Sequence, residues 1–321
     1  MRQLNSILFA AFLAGSAVAQ NPPANPPPAG AQDDAPTFTA ETNLVPLQVT
    51  VTDKNGKLLT NLPQSAFHVY ENGVEQTIKL FKREDVPVSM GIIIDNSGSM
   101  RDKRSRVAAA SMALVKASNP QDEVFIVNFN DDAYLDQKLT SDIKKLEEAL
   151  DKIDARGGTA MRDAISMSID YVKQYGKHDK KVLLVITDGN DNTSNESLEQ
   201  LYRKSQQSGV LIYSIGLLNE EEPREAKKAK RALKELAEAS GGMDYYPKDL
   251  ADVERITPVV AHEIRNQYIV GYIPSNTVLD GKFRRISVTV KAGGNPLVRT
   301  RNGYYATPNP PKPPITANAI H

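Results

Sequence analysis

The pattern of hydrophobic and polar residues changes twice along the chain. Val45, Leu47, Val49 and Val51 alternate with other residues, as in a strand that buries one face. The same alternation returns after Asn266, and the region between consists of short apolar runs separated by amphipathic segments. This order predicts β segments near both ends of the chain and an α/β region between them.

Apolar runs in the central region are typical of strands that are buried on both sheet faces. The predicted strands are Met90–Ile94, Val124–Asn128, Val182–Thr187 and Val210–Ile215. The predicted helices are Arg104–Ala117, Asp142–Ile153, Ala160–Tyr175, Ser197–Ser208, Glu221–Ser240 and Leu250–Ile264, the last with a kink or break at Pro258. Strands that alternate with helices predict an α/β fold with a doubly wound, mostly parallel sheet covered by helices on both faces.

The flanking β segments are short. Phe67–Tyr70 and Gln76–Phe81 read as strands after the first one, and the segment Tyr268–Tyr305 carries the remaining alternation. Neither flank has enough strands to bury a core alone. We therefore predict one β-sandwich whose halves come from the amino-terminal and carboxyl-terminal segments.

Composition narrows the class of protein. The 321 residues contain 39 Lys and Arg against 39 Asp and Glu, and they contain no cysteine. A balanced charge argues against general attraction to nucleic acid. The missing thiols exclude disulfides and zinc-thiolate sites.

Both ends of the chain read as segments outside the fold. Met1–Ala19 has the positive end, apolar core and small-residue cleavage site of a secretory signal peptide. The predicted organisation is a signal peptide at 1–19, a Pro-rich spacer at 20–37, half of the sandwich at 38–84, the α/β domain at 85–265, the other half at 266–306 and a disordered tail at 307–321. We expect a secreted, periplasmic or cell-envelope protein without an integral membrane span.

Polar residues follow the first central strand directly. Asp95, Ser97 and Ser99 occupy alternate positions at its carboxyl end, where open α/β sheets place their ligand sites. Their oxygens suit Mg²⁺ or Ca²⁺ better than zinc. On these residues alone a second interpretation stays open, in which the serines only cap the next helix.

Two later stretches favour the metal. Gly157-Gly158-Thr159 opens a helix, and Thr187-Asp188-Gly189 ends another buried strand. Together with Asp-x-Ser-x-Ser, this order resembles the von Willebrand factor A domain and its metal-ion-dependent adhesion site. From Asn43 to Tyr305 the chain also resembles the A-domain-related secreted proteins of acidobacteria.

The resemblance implies a ligand set and a kind of partner. The implied ligands of Mg²⁺, or of Ca²⁺ or Mn²⁺, are Asp95, Ser97, Ser99, Thr159 and Asp188. In the family, a Glu or Asp side chain of a partner protein takes the remaining position on the ion. Two acids can neutralise a divalent ion, and no third acid in the motif completes its shell. Asp163 either holds its loop as an acceptor behind the site or is an ordinary acid in the first turn of a helix, and Asp131 and Asp191 lie on neighbouring loops where they could affect specificity.

Enzymatic interpretations have less support. A phosphatase of the haloacid dehalogenase type needs a second acid where Ser97 stands, and a serine hydrolase needs a nearby His. His178 precedes a strand and so belongs at the opposite end of the sheet from Asp95. We expect no enzyme, but a module that binds or adheres to a protein. The alternatives are a structural envelope protein with a purely stabilising metal, and a Mg²⁺-dependent hydrolase.

Overall fold

Three β-sheets and the helices between them make up the part of the chain that the structure describes. The computed structural model describes residues 44–83, 85–117, 119–152, 155–220 and 222–308, with only the backbone of residue 220. The predicted signal peptide, the Pro-rich spacer and residues 309–321 of the predicted tail lie outside these ranges. The described residues belong to one compact unit, so the predicted boundaries at 84/85 and 265/266 stay predictions.

The strands of the described residues are β1 (Val45–Thr52), β2 (Phe67–Glu71), β3 (Val74–Gln76), β4 (Ile78–Lys82), β5 (Val88–Asp95), β6 (Glu123–Phe129), β7 (Ala133–Thr140), β8 (Lys180–Thr187), β9 (Leu211–Gly216), β10 (Asp244–Tyr245), β11 (Tyr268–Tyr272), β12 (Phe283–Val290), β13 (Leu297–Arg299) and β14 (Gly303–Tyr305). The α-helices are α1 (Arg104–Lys116), α2 (Ile143–Leu150), α3 (Met161–Tyr175), α4 (Leu198–Ser208), α5 (Pro223–Ser240) and α6 (Leu250–Arg265).

A six-stranded sheet in the order β10-β9-β8-β5-β6-β7 forms the centre of the α/β region. Every neighbouring pair is parallel except β6 with β7. All eight residues of β5 are buried, as expected of a strand with helices on both sides. Cores on the two faces bury side chains of α1, α2 and α6 on one side and of α3, α4 and α5 on the other. The predicted doubly wound α/β fold is confirmed.

The sandwich consists of two four-stranded antiparallel sheets, in the orders β13-β1-β11-β4 and β14-β12-β2-β3. Strands from the two ends of the chain alternate in the first sheet, where Val45 lies opposite Tyr272, and they meet at the β12–β2 pair in the second. The two inner faces share one core, in which Leu47, Val69 and Val288 are buried. The predicted sandwich built from both ends of the chain is therefore present.

Three local predictions differ from the structure. The strand predicted over Gln76–Phe81 is interrupted at Thr77, and its two parts, β3 and β4, belong to different sheets. The helix predicted over Asp142–Ile153 ends at Leu150, and Asp142 caps its first turn instead. Helix α6 runs without a break through Pro258, which is exposed.

A set of hydrogen-bonded polar side chains joins α6 to the sandwich, and we call this set the junction cluster. It comprises Tyr213, Glu263, Gln267, Thr50 and Arg299. The Tyr213 hydroxyl donates to Glu263 Oε1 at 2.8 Å, and Arg299 also pairs with that oxygen. Gln267 Nε2 donates to Thr50 Oγ1 at 3.0 Å and to the Tyr213 hydroxyl at 3.3 Å. Strands from both regions are thus held to the end of α6.

Candidate functional site

The site begins where β5 ends. Asp95 is the last residue of the strand and is fully buried. The Ser97 N–H donates to Asp95 Oδ1 at 2.8 Å, and Gly98–Met100 then forms a single turn of 3₁₀ helix before α1. This tight turn places Ser97 and Ser99 at the carboxyl end of the parallel sheet.

Hydroxyl and carboxylate oxygens from two neighbouring strands meet there. Ser97 Oγ lies 3.1 Å from Ser99 Oγ. Ser99 Oγ donates to Asp188 Oδ1 at 2.9 Å, and Asp188 directly follows β8. The structure therefore links Asp95, Ser97, Ser99 and Asp188 into one hydrogen-bonded chain. Ser99 is exposed while Asp188 is buried, so the chain runs from the interior to the surface.

Thr159 lies on the adjacent loop. The Gly98 N–H donates to the Gly157 carbonyl at 3.2 Å, and Gly157 has a φ of 71°, which favours glycine. The Thr159 N–H donates to Asn192 Oδ1 at 2.9 Å. Thr159 is 5% exposed, and within the described residues its hydroxyl makes no hydrogen bond to the other four candidate ligands. The structure thus brings its loop to the site without joining its side chain to the chain of oxygens.

Asp95 is held by neutral donors. Besides the Ser97 N–H, the Thr187 hydroxyl donates to Asp95 Oδ2 at 2.5 Å. Burial, aided by the charge of Asp188 and opposed by hydrogen bonds from Ser97 and Thr187, raises the pKa of the Asp95 carboxyl to about 6. A carboxylate in this position is stabilised by any cation that approaches it.

Lys103 is a site residue that the sequence reasoning missed. Its ammonium nitrogen lies 2.8 Å from Asp188 Oδ2, with side chains 13% and 1% exposed. Lys103 stands four residues after Ser99 and immediately before α1. No local pattern distinguishes it from neighbouring cations, because its partner is 85 residues away.

A second unpredicted feature lies beside the site. Arg104 is fully buried, donating from Nε to Asn96 Oδ1 at 3.0 Å and from Nη2 to Asn128 Oδ1 at 2.8 Å. Burial lowers the pKa of this guanidinium to about 10. Asn96 also lines a cleft of about 450 Å³, together with Tyr134 and Asp136 among others. The cleft adjoins the site because Asn96 stands between Asp95 and Ser97.

The three acids proposed as supporting residues hold loops in place. Asp163 accepts from the backbone N–H groups of Asn195 and Glu196, both at 2.9 Å. Asp191 accepts from the Arg162 N–H at 2.7 Å and pairs with the Arg162 guanidinium at 2.8 Å. Asp131 accepts from the Gly158 N–H at 2.7 Å. These contacts fix the loops on which Thr159 and Asp188 stand.

His178 is remote from this cluster, as its position in the sequence indicates. Its backbone N–H donates to Ser89 Oγ at 3.1 Å, and its ring lies 2.9 Å from the Gln121 carbonyl. Ser89 is near the start of β5, at the opposite end of the strand from Asp95. Among the described residues, no group of three or more His, Asp or Glu side chains comes together as a metal cluster.

The candidate site lies in a part of the chain that is similar to a known protein family. Residues 90–190 match the family model of the von Willebrand factor type A domain. These residues, about a third of the chain, are similar to that domain, and all five candidate ligands lie within them. No curated protein matches the chain.

Several solved structures are similar to the chain. A von Willebrand factor type A protein from Catenulispora acidiphila is 15% identical with a TM-score of 0.49, covering 83% of this chain and 75% of its own. An aerotolerance-related membrane protein from Bacteroides fragilis is 20% identical with a TM-score of 0.46, covering 55% and 98%. The vWF domain of the type V pili tip protein Mfa5 from Porphyromonas gingivalis is 13% identical with a TM-score of 0.46, covering 56% and 97%.

Within the part of the chain that the structure describes, none of the helices is both long enough and apolar enough to cross a lipid bilayer.

Proposed function

We propose that this chain is a secreted or cell-envelope module that binds another protein through a divalent metal ion. The ion would be held by Asp95, Ser97, Ser99, Thr159 and Asp188, and the partner would supply a Glu or Asp carboxylate. The observation that carries the proposal is the series of oxygens at the carboxyl end of the sheet, where Ser99 Oγ lies 3.1 Å from Ser97 Oγ and 2.9 Å from Asp188 Oδ1.

The chemistry of these residues fits a hard divalent cation. Carboxylate and hydroxyl oxygens are the groups that Mg²⁺, Mn²⁺ and Ca²⁺ accept. The site already holds a positive charge, since the Lys103 ammonium lies 2.8 Å from Asp188. The two buried acids would balance the charge of a divalent ion without a third acid. A divalent ion in this site would supply an electrophilic centre for an oxygen from outside the protein.

The shape of the site supports a role in binding. Asp95 and Asp188 are buried, whereas Ser99 and Gly98 are exposed beside them. The two acids would therefore hold the ion from the interior, and Ser99 places its hydroxyl at the solvent side of the site. A partner carboxylate can approach from that open side without displacing either acid.

Metal binding is tested first. Asp95→Ala should abolish binding of Mg²⁺ or Mn²⁺ in titration calorimetry, because it removes one of the two acids. Asp102→Ala is the matched control, since Asp102 is an exposed acid on the same segment. The far-ultraviolet circular dichroism of both variants should resemble that of the native protein. Equal binding by Asp95→Ala and the native protein would show that the metal assignment is wrong.

Partner capture is tested separately, because a structural metal is the main alternative. The purified protein is used as bait on an envelope extract of its own organism, in Mg²⁺ or in chelator. Proteins retained only in Mg²⁺, and lost with Asp95→Ala, support the binding module. Metal binding without any metal-dependent capture would favour a structural envelope protein. Hydrolysis of a phosphate ester by the purified protein would support the alternative that it is a Mg²⁺-dependent hydrolase.

Export and the narrower family resemblance also belong to the proposal. The predicted signal peptide and the likeness to acidobacterial secreted proteins both rest on the sequence. Fractionation of cells and amino-terminal sequencing of the mature chain test the first. A mature protein that begins at Gln20 outside the cytoplasm is expected, and an unprocessed cytoplasmic chain would refute the assignment.

A further inference from the structure

We propose that Lys103 is a built-in counter-ion of the metal site, which weakens the hold of Asp188 on the ion and thereby leaves the ion more attractive to an external carboxylate. The inference rests on the proposed function and identifies a residue that tunes it.

The two oxygens of Asp188 have different partners. Oδ1 accepts from the Ser99 hydroxyl at 2.9 Å, on the side where the candidate ligands lie. Oδ2 accepts from the Lys103 ammonium at 2.8 Å. One carboxylate therefore faces the proposed ion with one oxygen and a fixed positive charge with the other.

Burial distinguishes this ion pair from the surface pairs of the same protein. Lys228 and Glu225 are as close, at 2.7 Å, but their side chains are 65% and 40% exposed. The side chains of Lys103 and Asp188 are 13% and 1% exposed. Solvent screens an exposed pair and leaves it little energetic weight, whereas a buried pair keeps most of its interaction.

The backbone of Lys103 is fixed relative to the site. Its N–H donates to the Met100 carbonyl at 2.9 Å, and its own carbonyl accepts from the Val107 N–H at 3.1 Å. Met100 is fully buried and closes the turn that carries Ser97 and Ser99. The ammonium is thus positioned by the same turn that positions the serine hydroxyls.

Counting charges gives the consequence. Asp95 and Asp188 carry two negative charges, which would just balance a divalent ion. Lys103 adds one positive charge, so the ion and these three side chains would together carry one positive charge, which favours the approach of an anion. Because the ammonium and the metal ion would interact with the same carboxylate and repel each other, Lys103 must also lower the affinity of the site for the metal.

The test compares Mn²⁺ affinity by calorimetry in the native protein, Lys103→Gln and Lys103→Met. Both variants remove the charge, so the result does not depend on the folding of a single one. Each should bind Mn²⁺ at least about tenfold more tightly, which corresponds to ~1.4 kcal/mol. Lys103→Arg keeps the charge and should stay near the native affinity. Lys116→Gln is the control, because Lys116 is 57% exposed at the far end of α1.

A second measurement follows the carboxylate. Acetate binding to the Mn²⁺-loaded protein is measured by water-proton relaxation, and it should be weaker in Lys103→Gln than in the native protein. In chelator, both neutral variants should melt at a lower temperature than the native protein and recover when Mn²⁺ is added, since the ion replaces the missing ammonium.

The outcomes separate the two proposals. If the native protein binds Mn²⁺ and both neutral variants bind it with the same affinity, the role of Lys103 is refuted and the proposed function stands. If only the neutral variants bind Mn²⁺, the counter-ion role is supported and metal-dependent function of the native chain is refuted. If none of them binds Mn²⁺, both proposals fail.

Discussion

The junction cluster and the candidate site both contain buried acidic side chains, but these side chains differ in what surrounds them. In the junction cluster, one oxygen of Glu263 accepts from both Tyr213 and Arg299, and the cluster connects three parts of the chain. At the candidate site, Asp95 accepts from the Thr187 hydroxyl and from Ser97, and the hydrogen-bonded series reaches solvent at exposed Ser99. The junction cluster is buried apart from the partly exposed Arg299, whereas the site includes a hydroxyl on the surface. A buried acid therefore indicates a binding site only when its surroundings stay open.

Removal of the returning strands should have the largest effect on this comparison. In a chain that lacks residues 268–321, β1 loses β11 and β13, and β2 loses β12. The amino-terminal strands then expose apolar faces and should lose their hydrogen-exchange protection completely. A chain that lacks only residues 309–321 serves as the control and should keep it. Persistent protection of Val45–Thr52 after the longer deletion would contradict the shared sandwich core.

The substitution Glu263→Ala should have the second-largest effect, a loss of stability. It leaves the Arg299 guanidinium, whose side chain is 25% exposed, without its acid, and it removes the acceptor of the Tyr213 hydroxyl. Breaking a buried ion pair of this kind costs about 3–5 kcal/mol. Urea unfolding should show that loss in the free energy of unfolding, while Glu254→Ala, at an exposed position of α6, should be nearly neutral. Equal stability of the two variants would mean that the junction cluster is not structural.

The pH dependence of stability should reveal Lys180, which donates to the Ile264 carbonyl at the end of α6. Burial lowers the pKa of its ammonium to about 8, against the pull of Asp85, Glu263 and Asp122. Above that pH the folded protein has released a proton that the unfolded chain still binds, so stability rises with pH. The contribution is about 2 kcal/mol between pH 8 and about pH 9.5.

Unfolding of Lys180→Met over the same pH range provides the check. The variant should be more stable than the native protein at pH 7, because it buries no charge, and the rise attributed to Lys180 should be absent. The range stops below about pH 10, since buried tyrosines such as Tyr213 have raised pKa values and act in the opposite direction there. An identical pH profile in the two proteins would contradict the assignment.

The smallest expected effect concerns coupling between the two clusters. Helix α1 follows the site directly and packs on α6, with Val107 and Val260 in one core. Loosening α6 by Arg299→Gln should therefore change the affinity for Mn²⁺ by about fivefold, the lower end of typical coupling energies. Arg285→Gln removes an exposed charge from the same sandwich and is the control. Equal Mn²⁺ affinities in both variants would mean that the clusters act independently.

The sequence predicts the parts of the fold that depend on uniform burial. The apolar run of β5 and the acid at its end suffice to place Asp95 at the carboxyl edge of the sheet, and the same holds for β8 and Asp188. Strand β7 was missed, because all of its residues are exposed or only partly buried and its pairing with β6 is irregular. An edge strand of this kind lacks a clear period of two.

Contacts that join distant segments could not be predicted. Lys103 lies in a run of charged residues, Arg101 to Arg104, in which one points into the interior and one pairs with Asp188. Sequence spacing gives no means of telling these roles apart. The interruption at Thr77 has a similar cause, since tertiary pairing of β3 and β4 with different sheets overrides a continuous alternating pattern.

The pairing of β1 with β11 determines how the chain can fold. Val49 and Tyr268 lie opposite each other although the whole α/β region separates them. Closing so long a loop in an unfolded chain is slow and entropically unfavourable. Arg265, at the end of α6, donates to Asp85 at 2.9 Å just before β5, so the folded α/β region brings its own two ends together. We therefore expect β1, although synthesised first, to gain its partners β11 and β13 last, and a refolding chain should acquire hydrogen-exchange protection in the α/β region before β1 is protected.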